Sequence, residues 1–398
     1  MAAATKVGDH QLSEKWLARS RGLRIALVVD SLGGGGAEKV ITTLASEFAN
    51  LGHTPILVVG DSHGPWRGNV SDAVQTLDLA VRNKRALLAR RLTASLAQLE
   101  SDVVLVTGMP CIASVLTAVR LGFLRCPVVV RERSSVSLEM AAARTGRIVR
   151  PFRHVLYPAA ARVICVSEGA RTDFLSTVHY PRHRTHVVYN PAGITTGDLA
   201  ASVPDHPFFC NPTIPVIMTA GRFAAEKDHF TLLRAFAEAR KRRPIRLILL
   251  GEGPLRRDLE QLASALKLVD DISLPGYRSD ARAFMRHADL FVLSSRFEGM
   301  PNALLEALFC GARIVSTDCT SGPREILDNG RYGQLVPVGD WRAMADAILA
   351  GLDAPHPTPD PEFMRQFAPE RVASAYLDIL HAATRRICSL RPNLNSHT

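Results

Sequence analysis

Glu298 and Glu306, in the stretch E-G-M-P-N-A-L-L-E-A, are the two side chains whose spacing most needs a chemical reading. On one continuous helix they would lie about 12 Å apart at ~1.5 Å per residue. That is beyond the ~5 to 5.5 Å between the carboxylates of a retaining glycosidase. The spacing therefore fits two separate grips on one long ligand. Pro301 suits a first helical turn, which puts Glu298 in the loop facing the helix N-terminus and Glu306 a little over one turn inside. The free N–H groups of that turn attract an anion such as a diphosphate. Two ordinary surface acids are the plainer alternative, and the flanking Gly, Pro and Asn argue against it.

The elements around the pair give it a place. Leu290 to Ser294 is a short apolar run, Asn302 to Phe309 is a helical pattern that Gly311 can close, Arg313 to Thr317 is a second strand, and Ser321 to Glu325 opens a second helix. Strand-to-helix junctions of this kind are where open α/β sheets bind ligands. Upstream, the strand Val216 to Ala220 runs into Gly221, Arg222 and Lys227, so two cations follow another strand end. Near the start, Arg24 to Asp30 is an apolar strand followed by Gly33 to Gly36. The helix Ala37 to Asn50 then carries Val40, Ile41, Leu44 and Phe48 on one side. Four glycines let the backbone approach a phosphate or sugar closely, and Glu38 and Lys39 begin the helix. The loop is not the G-x-G-x-x-G of a dinucleotide fold in its usual context, although Asp61 comes close to the ribose-binding position.

Further strand-like runs at Pro55 to Val59, Val103 to Thr107, Val128 to Val130, Arg162 to Val166 and His186 to Val188 alternate with helical patterns. The same holds for Ile245 to Leu250, Ile272 to Leu274 and Gln334 to Val338. That alternation predicts an α/β chain with parallel sheets. Trp341 to Gly351 and Pro361 to Ile387 read as helices, and Ser167 as a helix cap. Five prolines between Asn190 and Pro215 mark a linker. The expected organisation is an extension over 1–22, a first domain over 23–190, a linker over 191–215, a second domain over 216–360, and a C-terminal helix and tail over 361–398.

With its Gly, Pro and Asn, its following C-G and the later S-G-P-R-E-I-L, the Glu298 to Glu306 segment resembles the signature of the retaining GT-B nucleotide-sugar glycosyltransferases of the family-four type. The S-G-P-R-E-I-L form looks most like bacterial enzymes of polysaccharide and lipid-linked oligosaccharide assembly. The resemblance is strong over 216–340 and weaker before, and it implies two Rossmann-like domains facing across a cleft. It makes Glu298 the grip on the donor sugar's hydroxyls, Glu306 that on the ribose, and Arg222 and Lys227 those on the diphosphate. Gly221 lies beside these, and Gly299, Met300, Pro301 and Asn302 bring backbone donors. It also gives the nucleobase to the backbone of Tyr277 and Arg278, and turns Gly35 and Gly36 toward the cleft. Glu298, Arg222 and Lys227 are the expected catalytic residues, and UDP the first nucleotide to try. Relatives carry a His near the end of the strand Val128 to Val130; here Arg131, Glu132 and Arg133 stand instead, as acceptor-side candidates or as an exposed loop with local ion pairs.

The chain is 398 residues long with 47% hydrophobic and 22% charged content, which suits two soluble domains. No run of 18 apolar residues spans a membrane, and residues 1–22 lack the apolar core of a signal peptide, so a cytoplasmic protein is expected. Its seven cysteines form no C-x-x-C, no cluster has metal-ligand spacing and D-x-D is absent, so no metal and no cofactor are expected. Residues 1–200 hold 24 Lys and Arg against 15 Asp and Glu, whereas residues 201–398 hold 24 against 23. A diphosphate-bearing acceptor, an anionic membrane or a nucleic acid would each match that basic half. Few aromatics lie among its cations, so a nucleic-acid partner is not expected. The helix with Leu88, Leu92, Leu96 and Leu99 on one face carries Lys84, Arg85, Arg90 and Arg91. With Arg144, Arg147, Arg150 and Arg153, these give the first domain a candidate contact with the inner membrane leaflet. The expected partners are a nucleotide-sugar donor and a glycan or diphosphate-lipid-linked acceptor. A nucleotide-sugar epimerase or a glycan phosphorylase of the same architecture is the alternative.

Overall fold

A computed structural model describes residues 22–81, 85–142, 152–192, 202–210 and 213–388. The expected N-terminal extension, Lys84, Arg144, Arg147, Arg150 and part of the proline-rich linker lie outside the described residues. Two parallel sheets with flanking helices make this an α/β protein built of Rossmann-like layers. The first sheet comprises β1 (Arg24–Ser31), β2 (Thr54–Asp61), β3 (Gln75–Asp78), β4 (Val103–Thr107), β5 (Val128–Glu132), β6 (Arg162–Cys165) and β7 (Thr185–Val187). Their order is β3-β2-β1-β4-β5-β6-β7. The second comprises β8 (Val216–Ala220), β9 (Arg246–Leu250), β10 (Ile272–Gly276), β11 (Leu290–Leu293), β12 (Ile314–Thr317) and β13 (Gln334–Val336), ordered β10-β9-β8-β11-β12-β13.

The inner strands are unbroken apolar runs because both of their faces are covered. Ile25 to Val29, Ile56 to Val59 and Val103 to Val106 are at most 1% exposed, and Ile25 pairs with Pro55 on one side and Val103 on the other. In the second sheet Ile217, Leu247, Leu249, Leu290 and Val292 face a layer of Leu232, Phe236, Met344 and Ile348 from the helices His229–Arg240 and Trp341–Asp353. Each sheet reverses its strand order once, between β1 and β4 and between β8 and β11. The crevice outside the carboxyl ends of the strands at such a reversal is where α/β sheets take ligands.

By compactness the chain divides into one unit of Met1–Arg131, Val155–Val163 and Ala373–Thr398, and another of Glu132–His154 and Ile164–Val372. The glycine-rich loop belongs to the first, and Arg222, Lys227, Tyr277, Arg278, Glu298 and Glu306 to the second.

Three sequence expectations need correction. β3 went unread because Q-T-L-D has no apolar run; it is a largely exposed edge strand that only pairing with β2 defines. The C-terminal pattern is two helices, Pro361–Arg365 and Pro369–Cys388, because Pro369 cannot continue a helix but can begin one. Leu88, Leu92 and Leu96 are buried as expected, but two cations assigned to a basic surface are engaged within the protein. Arg91 Nη1 donates to Leu79 O at 2.5 Å, and Arg153 is 2% exposed.

At the second sheet's reversal the strand ends are tightly fitted. Gly251 follows β9 at φ +139°, and a Cβ there would lie 1.9 Å from Gly221 O. The Gly251→Ala variant should lose about 1–3 kcal/mol from the backbone conformation alone, and more from the overlap. A urea unfolding midpoint that did not move would contradict this fit.

Candidate functional site

Lys227 and Glu298 meet although 71 residues separate them: Lys227 Nζ lies 2.5 Å from Glu298 Oε1. Each comes from a loop after a central strand, Lys227 after β8 and Glu298 after β11, so the pair stands at the strand-order reversal. The lysine backbone is fixed on both sides. Ser294 Oγ donates to Lys227 O at 2.8 Å, and Arg296 N to Glu226 O at 2.8 Å. Asp228 follows in the left-handed region at φ +45° and caps the helix His229–Arg240, accepting from Thr231 Oγ1 at 2.9 Å. The lysine's methylenes run past Gly221, where a Cβ would meet them at ordinary contact distance.

Glu298 is held by a second bond on the same oxygen. Ser295 Oγ donates to Glu298 Oε1 at 2.7 Å, and Ser295 O accepts from Thr317 Oγ1 at 2.6 Å. Ser295 and Thr317 are fully buried, so the carboxylate is positioned from the core, while the Lys227 and Glu298 side chains keep 22% and 12% of their surface exposed. Arg222, next to Gly221, is exposed. The combination is a reachable carboxylate paired with one cation, with a second, exposed cation in the same β8 loop, in a setting where an incoming anion can compete for the lysine.

The helix Asn302–Phe309 has the bounds its sequence pattern predicts, with Pro301 at the cap position. Proline has no acceptor side chain, so it does not cap the first turn's N–H groups, which are left for solvent or an anion. Glu306 lies on this helix, 3.8 Å from Arg282 Nε. Asn190 tethers the loop, its Nδ2 donating to Met300 O at 3.2 Å and to Asn302 Oδ1 at 2.7 Å.

Glycines set how closely the neighbouring loops approach. A Cβ on Gly299 would lie 2.1 Å from Arg133 O and 2.6 Å from Ser134 Cα, and one on Gly322, at φ +91°, would lie 2.7 Å from Pro301 Cδ. The segments 133–134, 298–302 and 320–325 therefore interlock through backbone. Glu325 extends this assembly: its carboxylate accepts from Glu168 N at 2.9 Å and Gly169 N at 3.1 Å, at the helix that Ser167 caps through Ala170 N. Burial, and after it Glu325, raises the Tyr189 hydroxyl above its ordinary value.

The acceptor-side candidates separate. Arg131 and Glu132 are part of β5 and buried, contrary to an exposed loop. Arg131 Nε donates to Tyr376 Oη at 3.0 Å, and Glu132 pairs with the buried Arg153 at 3.2 Å. Of the three only Arg133 is exposed. Arg278 forms two bonds of 2.8 Å to Asp280, which engage its guanidinium. That same bond, ahead of the opposing effect of burial, holds the Asp280 carboxyl below its ordinary value. Gly35 is the cap residue of the helix Gly36–Asn50, with the Glu38 carboxylate folded against it. Gly35 and Gly36 belong to the other compact unit.

Sequence reading missed Ser295, Thr317, Asn190 and His229. Nothing in spacing marks a buried hydroxyl; the one available signal was that Ser294 and Ser295 end an apolar strand directly before Glu298. It also missed that Asp61, His63 and Asp78, at the ends of β2 and β3, place ligand atoms within 4.8 Å of one another. Asp61 and His63 already bond each other at 2.6 Å and Asp78 accepts from Ser62 Oγ at 2.5 Å, and we assign no metal there.

Comparison with known families identifies the two halves of the chain. Residues 34–193 match the family described as Glycosyltransferase Family 4, and residues 214–354 that described as Glycosyl transferases group 1. Among curated proteins the chain is similar to the N-acetylgalactosamine-N,N'-diacetylbacillosaminyl-diphospho-undecaprenol 4-alpha-N-acetylgalactosaminyltransferase of Campylobacter jejuni. The two are 24% identical over 350 residues, 83% of this chain and 90% of that protein. It is also similar to the lipopolysaccharide core biosynthesis glycosyltransferase LpsE of Rhizobium meliloti, at 34% over 179 residues, 42% of this chain and 49% of that protein. In fold it resembles HepE from Anabaena, solved with UDP and glucose, at a TM-score of 0.69 and 19% identity over 92% of this chain and 98% of that one. Fold and family matches together define a GT-B glycosyltransferase. The chain belongs to the family-four glycosyltransferases, and the relatives it matches include proteins named for lipopolysaccharide core and colanic acid biosynthesis.

Two outcomes follow from the site. Burial, and secondarily Lys227, pushes the His229 imidazole from 6.5 down to about 4. The fold thus favours the neutral ring, whose contribution is complete above 6.5 and is lost as pH falls toward 4, by on the order of 3 kcal/mol. Unfolding free energies measured across that range should fall with pH, and His229→Phe should flatten the slope. Separately, Gly299→Ala should displace the 133–134 backbone and lower both stability and transfer; unchanged melting and turnover would contradict the interlock.

Proposed function

We propose that this enzyme moves a hexosyl or N-acetylhexosaminyl group from a nucleotide sugar, with UDP as the nucleotide, to a growing glycan or a diphosphate-lipid-linked acceptor. The configuration at the anomeric carbon is retained and no metal is needed. The observation that carries this reading is the Lys227–Glu298 pair at the strand-order reversal, 2.5 Å apart, with the exposed Arg222 in the same β8 loop as Lys227. Support comes also from the lipid-diphosphate wording in the name of the Campylobacter relative and from the UDP in the HepE complex.

In this reading the donor diphosphate takes Lys227 and Arg222, a point charge and a planar fork. As the glycosidic bond breaks, negative charge grows on the leaving diphosphate, and preorganised cations and helix N–H groups stabilise it there, an effect worth several kcal/mol. The approach of that anion frees Glu298 from Lys227 to accept hydrogen bonds from the sugar hydroxyls, still oriented by Ser295. Glu306 takes the ribose, and the backbone of Tyr277 and Arg278 the nucleobase edge. Gly221, Gly299, Met300, Pro301 and Asn302 line the path of the diphosphate and sugar. Residues 216–360 act as the donor side and 23–190 as the acceptor side, with Gly35 and Gly36 in the latter. Of the three acceptor-side candidates we assign the contact to Arg133, because Arg131 and Glu132 are buried in β5.

Glu298→Gln should abolish most transfer while leaving nucleoside diphosphate affinity near the parent's, whereas Lys227→Ala should weaken that affinity itself. Calorimetry with UDP, alongside a transfer assay, separates the two; equal loss of affinity in both would refute the division of roles. Activity should also survive EDTA, because the cations stabilise the leaving group. Complete loss restored by Mg²⁺ or Mn²⁺ would overturn the metal-free assignment. An epimerase or a phosphorylase is distinguished by products, since only a transferase elongates an acceptor and releases a nucleoside diphosphate.

A further inference from the structure

The helix Met109–Arg120 ends in a turn whose geometry is fixed and whose side chains face water. Gly122 sits at φ +77°, its N–H donates to Val119 O at 3.1 Å, and Phe123 N–H donates to Ala118 O at 2.9 Å. This is the two-bond glycine cap in which the apolar residue after the glycine ordinarily folds onto the last helical turn. Here it does not: Phe123 and Leu121 are each 63% exposed, while Leu124 is 5% exposed and anchors the turn. Arg120 Nη1 donates to Val155 O at 2.9 Å, which brings a third outward apolar side chain alongside, Val155 at 53% exposed.

Charge frames these tips. Arg120 and Arg125 bracket the turn, both are exposed, and no acid occurs from Thr117 to Cys126. Three side chains are far short of the ~800 Å² per partner that a stable protein interface buries. A bilayer surface asks for less: a few large apolar groups entering the acyl boundary and cations at the phosphate level. The basic excess of residues 1–200 has the matching sign for an anionic leaflet. Arg91 and Arg153 do not serve this purpose, one holding backbone carbonyls and the other buried with Glu132.

We propose that the Arg120–Arg125 turn, with Val155 beside it, is the point at which this protein contacts an anionic phospholipid bilayer, Leu121 and Phe123 entering the interface and Arg120 and Arg125 meeting the phosphates. The purpose of the contact, access to a lipid-linked acceptor, rests on the function proposed above. The contact itself is tested without donor or acceptor, so its failure leaves the transferase reading standing.

Flotation of the full chain is compared on vesicles of pure phosphatidylcholine and of equal parts phosphatidylcholine and phosphatidylglycerol. The parent should bind the mixed vesicles more strongly, and less so as salt rises. Leu121→Ser with Phe123→Ser should weaken binding at least about tenfold. Arg125→Gln should weaken it about fivefold on mixed vesicles and leave the neutral ones unchanged. Both variants are exposed, and unchanged thermal melts confirm that they fold. A Phe123→Trp variant gives an independent reading, since its emission should shift to the blue on mixed vesicles. Parent-like binding by the double variant, or no binding by the parent, would overturn the proposal. A parent dimer that the double variant converts to monomer would also overturn it, by making this turn a protein interface.

Discussion

The arrangement of the candidate site depends on one ion pair whose two halves are supported differently. Glu298 is oriented from the core, through Ser295 and Thr317, and Lys227 reaches it from a loop fixed by Ser294 and the Asp228 cap. A carboxylate with one oxygen shared between a hydroxyl and an ammonium keeps its position when the ammonium leaves. In the function proposed above, the pair is a placeholder that balances charge before substrate arrives and parts without rebuilding the loop. Burial and the nearby Glu298 carboxylate also push the Cys319 thiol up to about 12, with Lys227 opposing, so this thiol stays protonated beside the pair at neutral pH.

Backbone packing explains why the surrounding loops tolerate so little change. Gly299 sits on the 133–134 backbone and Gly322 on Pro301, so that loops from three strand ends share one surface. Asn190 and Glu325 then add hydrogen bonds from farther along the chain. Such a site is built on rigid elements, which is what the leaving-group stabilisation proposed above requires of its charged groups.

Much of this was legible in the sequence, for identifiable reasons. The inner strands are continuous apolar runs, and their alternation with helices implied parallel sheets. The glutamates and cations stood out because each follows a strand end and is framed by Gly, Pro or Asn. Other features depend on contacts that no spacing encodes. The edge strand Gln75–Asp78 has no apolar pattern of its own, and Ser295 and Thr317 matter only because the fold brings them to Glu298. Arg131 and Glu132 read as loop charges since charge predicts exposure, yet each finds a buried partner, Tyr376 and Arg153, at a distance the local sequence cannot show.

The central claim is that a nucleotide sugar takes the place of the Lys227–Glu298 contact. A crystal structure of the full chain with UDP bound together with its sugar tests it directly. The account predicts that Lys227 Nζ leaves Glu298 for a phosphate oxygen, while Glu298 keeps its bond from Ser295 and accepts from the sugar hydroxyls. A complex in which the ion pair is intact and the nucleotide sugar lies elsewhere would contradict it.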